Sequence, residues 1–271
     1  MIRAISVAVV GLIGLAAAAA AQSRDEPQLV FSIGVGMVAG SGELWSLPAQ
    51  GVAVGGGTGI DTMGLARRLR PGPVATLSAT YHRFRHLGFA AEVGYFGVAT
   101  EQRCTPPANG YKTDAENKNA QACSRGNGAH VQTSMVGFQV GLSYRVATTA
   151  RLMPYARASA GIGFLANSFI RTEGAITCSA AGDVCQWPLI EGETTPERAV
   201  IGTLAVGASV AISTGYRFRF EVRDLLASLP VPSAPANPAN GLAPVGSSLR
   251  HIPVFEAGLD VVLERRRGRR Y

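Results

Sequence analysis

Lysine is almost missing from this chain of 271 residues: Lys112 and Lys118 are the whole complement, and both lie in one polar segment. Soluble β-proteins place lysine on solvent faces and edge strands, so strands without it point to walls that do not face water. Long apolar runs are equally scarce. Beyond the N-terminus no stretch reaches the ~20 apolar residues that a membrane helix requires; if the chain spans a bilayer, it does so as strands. Motifs for chemistry are missing as well. "VGGGTGI" from Val54 lacks the Lys-Ser/Thr ending of a phosphate loop and reads as a flexible glycine loop. No catalytic residue, metal site or cofactor is expected.

What is present begins with "MIRAISVAVVGLIGLAAAAAAQS". One early cation, an apolar run and a small-residue end are the pattern of a secretory signal peptide, residues 1–21, cleaved after about Ala21. The mature chain is then exported, and residues 22–264 form one domain with no dividing linker. A formal net charge of +7 suggests an anionic partner, but Arg265, Arg266, Arg267, Arg269 and Arg270 supply most of it, in a basic tail, residues 265–271. Without interleaved aromatic and basic platforms, nucleic acid is not the expected partner.

The body of the chain alternates in polarity with period two, the mark of strands with two unlike faces. Eight segments of about ten residues do so, beginning near Leu29, Val74, Leu87, Met135, Pro154, Thr203, Tyr216 and Phe255. Connections alternate too: "RFRH", "VATTA" and "STG" are brief, while the stretches near residues 40–72, 98–130, 167–199 and 226–250 are long. These observations predict an all-β fold: an eight-stranded antiparallel up-and-down transmembrane β-barrel, with short turns on one rim and long loops on the other. Tyr81, Phe84, Tyr144, Tyr155 and Tyr216 fall near the short-turn rim, as an aromatic girdle would.

"YRFRFEVRDLL" from Tyr216 fixes which face meets lipid. Putting its charges outward would place Arg219 and Arg223 in hydrocarbon, at roughly 2–4 kcal/mol each near mid-depth. The phenylalanines therefore face lipid. Glu92, Arg157, Arg219, Glu221, Arg223, Glu256 and Asp260 then share the lumen as a buried ion network, since eight strands leave an interior that side chains fill. Charge pairing suggests a register for the last two strands: Arg219 opposite Asp260 and Arg223 opposite Glu256, with Phe218 against Val261 and Phe220 against Leu259. A slip of two residues would oppose Glu221 to Glu256 or to Asp260.

The pattern resembles the small eight-stranded outer-membrane barrels, the OmpA/OmpX-like group, over nearly all of the mature chain. That resemblance implies a Gram-negative outer membrane, outer-membrane lipid around the barrel, a monomer, and the barrel assembly machinery as a transient partner. Glu256, Gly258, Val261 and Leu263 look like the assembly signal of such barrels. Family members usually end at an aromatic residue closing this strand, whereas this chain continues through "ERRRGRR" to Tyr271.

Four cysteines in an exported chain predict disulfides. Cys104 and Cys123 share the second long stretch, Cys178 and Cys185 the third, so two loop-local bridges need no crossing; metal ligation is the alternative. The fourth stretch, "LPVPSAPANPANGLAPVGSS", reads as mobile low complexity. His130, Ser134 and His251 near the long-loop rim raise the idea of a rim hydrolase, without any nucleophile motif. The expected role is structural or surface-interacting, with no ligand named. A narrow ion or small-solute pore and a secreted soluble barrel binding a small apolar ligand are the rivals.

Overall fold

The computed structural model describes residues 28–40, 42–53, 60–113, 117–146, 151–178, 182–195, 197–213 and 215–264. The signal peptide, the glycines at 55–57 and the basic tail lie outside them. The elements are β1 (Gln28–Val38), β2 (Glu43–Val52), β3 (Asp61–Arg70), β4 (Gly72–His82), β5 (Leu87–Thr105), α1 (Lys118–Gly126), β6 (His130–Arg145), β7 (Leu152–Leu165), β8 (Thr172–Thr177), β9 (Val184–Gly192), β10 (Arg198–Ser213), β11 (Tyr216–Pro232), β12 (Leu242–Ala243) and β13 (Val245–Glu264).

Eight of these close a ring in the order β1, β4, β5, β6, β7, β10, β11, β13 and back to β1, with every neighbouring pair antiparallel. They contain the eight alternating segments of the sequence. Closure removes the unpaired edge that an open sheet would present to lipid.

Period two fixes the two faces. Phe31, Ile33, Val35 and Met37 of β1 point outward and are exposed, as are Phe218, Phe220 and Val222 of β11. Strand β10 presents Val200, Leu204, Val206, Val210 and Ile212 outward. That spacing covers about 40 Å of strand at about 3.3 Å per residue. At a tilt of about 40° it gives about 30 Å of height, the thickness of a hydrocarbon core. A continuous apolar band of that height is incompatible with water, so the ring is membrane-spanning. No helix among the described residues is long and apolar enough to cross a membrane.

The stretches expected as long loops are largely folded. The first contains β2 and β3, paired as a hairpin with two register shifts. Strand β3 passes through Pro71 into β4, and the nineteen-residue β5 pairs with β4 near the short-turn rim and with β3 beyond it. The joint is tight: a Cβ on Gly72 would fall on the Gly97 carbonyl. The third stretch contains the β8–β9 hairpin, with β12 added parallel to β9.

The fourth stretch corrects the expectation of a mobile low-complexity loop. Strand β11 runs to Pro232 and β13 begins at Val245, paired with each other throughout. The intervening turn is bound by Ser233 N to Pro244 O and Asn237 N to Leu242 O, both at 2.9 Å. Pro230 and Pro232 are tolerated because β11 beyond Ala227 pairs on one side only, with β13, so some of its backbone N–H groups serve no ladder.

Candidate functional site

The lumen is organised in layers. At mid-height, β5, β7, β11 and β13 turn Glu92, Arg157, Arg219, Glu221, Arg223, Glu256 and Asp260 inward, and all seven are buried. Arg157 Nη2 lies 2.8 Å from Glu92 Oε2 and 2.7 Å from Glu221 Oε1. Arg223 is fully buried and reaches Glu92 at 2.7 Å, Glu221 at 2.6 Å and Glu256 at 2.7 Å. Arg219 holds Glu256 at 2.5 Å, with Asp260 at 3.7 Å. Thr76 donates to Glu256 at 2.9 Å and Tyr155 to Glu221 at 2.6 Å. Room for these long side chains comes from absent ones: a Cβ on Gly34 would fall on the Glu256 carboxylate.

The register between β11 and β13 differs from the one inferred from charge pairing. Arg219 opposes Gly258, Arg217 opposes Asp260, Glu221 opposes Glu256, and Arg223 opposes Val254. Phe218 meets Leu259 and Phe220 meets Ala257, with Phe220 still on the lipid face. This is the two-residue slip that two-strand reasoning rejects. Arginine side chains reach across the lumen, so the Glu221–Glu256 opposition is bridged by Arg219 and Arg223, while Arg157 arrives from β7. Tyr155 is a second correction: it turns into the lumen toward Glu221 instead of joining the girdle. Tyr81, Phe84, Tyr144 and Tyr216 are exposed at the short-turn rim.

Toward the long-loop end the lumen is apolar. Val38, Val74, Phe96, Met135, Ile201, Leu225 and Val254 point inward from the ring strands, and Phe169, Ile170, Leu189 and Ile190 of the third stretch pack onto them. Trp45 donates its indole N–H to Phe169 O at 2.9 Å. Arg67, fully buried, donates to Ser168 O and Arg171 O; burial pushes its guanidinium down to about 10, with Glu173 opposing that shift. Alternation in β3, with Asp61, Met63, Leu65, Arg67 and Leu69 on one face, is the sequence signal of this core. Below the ion network lies a polar cavity of about 30 Å³, lined by residues including His82, Arg145 and Asp260, enough for one or two waters.

Two disulfides brace the long-loop end. Cys104 of β5 joins Cys123 of α1, and Cys178 joins Cys185 across the β8–β9 hairpin. Asp61 ties the first two stretches together, accepting from Lys112 N at 2.8 Å, Thr113 N at 3.2 Å and Asn119 Nδ2 at 2.9 Å. Burial opposes its charge, but these donors prevail and hold the carboxyl below the usual carboxylate range. Between the two stapled stretches lies a cleft of about 1,090 Å³, where β7 parts from β6; His130, Arg125, Arg171, Glu173 and Glu191 are on its walls.

The histidines near this rim do not meet. His130 lines the cleft, whereas His251 Nδ1 lies 2.7 Å from Asp224 Oδ2 on the β11–β13 wall, with three strands of the ring between β6 and β13. Ser134 contributes its carbonyl to Ala166 N at 2.9 Å. Among the described residues, no three His, Cys, Asp or Glu side chains are grouped to hold a metal ion. Glu256, Gly258, Val261 and Leu263 lie together on β13 at the seam with β1, with Val261 opposite Phe31 and Leu263 opposite Leu29.

No family model matches the chain, and no curated protein matches it. Solved structures do. The chain is similar to the outer membrane protein OprG from Pseudomonas aeruginosa, at 9% identity over 90% of this chain and 99% of that one, with a TM-score of 0.45. Neisserial surface protein A follows at 11% identity, 86% and 96% coverage and a TM-score of 0.35. The outer membrane protease OmpT from Escherichia coli is similar at 9% identity, 90% and 99% coverage and a TM-score of 0.31.

Proposed function

We propose that this protein is a sealed outer-membrane barrel with a structural or surface-interaction role, carrying a rigid folded crown outside the cell. The observation that carries this reading is the filled lumen. A pore would need a continuous wet path, yet an ion network closes mid-height and a hydrophobic core closes the outer half. Binding of a partner then falls to the crown, which has a polar cleft between two disulfide-stapled stretches. An export signal, a ring that satisfies its own backbone bonds and an apolar exterior all favour the outer membrane. In this orientation the short turns are periplasmic and the crown is extracellular.

Two measurements test the proposal. Cell fractionation with heat-modifiable gel mobility is expected to place the folded chain in the outer membrane; recovery in the soluble periplasm would overturn the location. Planar-bilayer recording of the folded protein is expected to give no steady conductance. A steady conductance that changes in Arg219→Ala or Glu92→Ala would replace the sealed barrel with a narrow pore.

A further inference from the structure

The two rims differ in charge more than the net value suggests. Arg83 and Arg85 occupy the β4–β5 turn, Arg145 and Arg151 flank the β6–β7 turn, and Arg217 follows the β10–β11 turn; none of these segments contains an acid. Both described chain ends reach the same rim, where Gln28 pairs with Glu264. Among the described residues this rim has five arginines against Glu264, a net charge of +4. The short-turn rim is therefore cationic among the described residues.

The opposite rim is balanced. Three of its arginines sit beside carboxylates: Arg70 and Arg103 lie 3.2 Å and 3.5 Å from Glu101, and Arg68 opposes Glu43 on one side and Glu101 on the other. At the short-turn rim the arginines are interleaved with aromatic residues. Phe84 is exposed between Arg83 and Arg85, and Tyr81, Tyr144 and Tyr216 form the girdle at the same level. Aromatic rings mark the headgroup depth of a membrane, so these arginines stand where lipid phosphates are. Guanidinium groups bind phosphate through paired N–H donors.

Resting on the membrane-barrel reading above, we infer that the short-turn rim is a docking surface for anionic phospholipid headgroups of the inner leaflet, with Arg83, Arg85 and Arg151 as its principal contacts. Arg83 and Arg151 are exposed, and Arg85 is half-buried beside Phe84. Arg145 turns inward and donates to Gln28 at 3.1 Å, so it supports the field without being needed for contact. Each arginine near an anionic surface contributes about 1 kcal/mol, roughly fivefold in lipid preference.

The test uses the folded protein in phosphatidylcholine vesicles with a minority of spin-labelled phosphatidylglycerol or spin-labelled phosphatidylcholine. Phosphatidylglycerol is expected to be retained over phosphatidylcholine by about fivefold or more, with the preference falling as salt is raised. R83Q/R85Q/R151Q should lose most of it and keep its heat-modifiable mobility, while R68Q/R198Q at the other rim should keep it. No preference in the wild type, or a loss seen only in R68Q/R198Q, overturns the inference. If the triple variant fails to fold, the wild-type salt series decides alone. Salt-sensitive binding to purified peptidoglycan sacculi without lipid preference would also overturn it, assigning the rim to acidic cell-wall peptides. Failure to insert into pure phosphatidylcholine would instead refute the membrane barrel itself.

Discussion

Replacing Arg223 by methionine removes the cation that joins three carboxylates while keeping a long side chain in the space. The network holds three arginines and four acids, so it already has one surplus negative charge; R223M raises that to two. Glu92 and Glu221 retain Arg157, and Glu256 retains Arg219 and Thr76, so no carboxylate is left entirely alone. Each still loses a partner at 2.6–2.7 Å in a site closed to solvent. Breaking a buried ion pair from one side costs about 3–5 kcal/mol. With an m value of about 3 kcal/mol/M, the urea midpoint of the barrel in vesicles, followed by circular dichroism, should fall by more than about 1 M. E221Q in the same chain removes one of the stranded charges and restores the original excess. The double variant E221Q/R223M should therefore be more stable than R223M alone, even though a second network residue has been changed. A shift within experimental error for R223M, or strictly additive losses in the double variant, would refute the view that these charges act as one network.

Other consequences can be measured separately. Phe220→Arg puts a cation on the lipid face and should cost roughly 2–4 kcal/mol near mid-depth, read as a lower urea midpoint; a neutral result would place Phe220 away from lipid. Opening the bridge of nineteen-residue separation with C104S/C123S should cost the crown about 3 kcal/mol, visible as faster proteolysis of the α1 region with the barrel still folded. Asp61 has a depressed carboxyl, so its contribution is fully present above about pH 4, the unfolded value, and is lost as pH falls through the folded one. Hydrogen exchange near Lys112 and Asn119 should therefore accelerate on acidification in the wild type and change little in Asp61→Asn. Equal acid sensitivity in both would remove Asp61 as the tie.

Alternation along the chain determined the eight ring strands, which face meets lipid, and which charges turn inward, because a period of two is a local property and the cost of an arginine in hydrocarbon does not depend on a partner. Cysteine placement likewise pointed to the pairs that bond, since each pair lies within one folded stretch. The register of β11 and β13 was beyond such reasoning. Opposing Glu221 to Glu256 is unfavourable on a two-strand ladder, and becomes acceptable only because Arg219 and Arg223 reach across to bridge the pair and Arg157 from β7 enters the same space. The crown was hidden for a related reason. Proline and glycine in residues 226–250 suppress the local strand signal, yet long-range pairing carries β11 to Pro232 and β13 back from Val245. Phe169, Ile170, Leu189 and Ile190 belong to no amphipathic period; they are a plug only because the barrel mouth stands beneath them, lined with apolar side chains that residues far away in the chain provide.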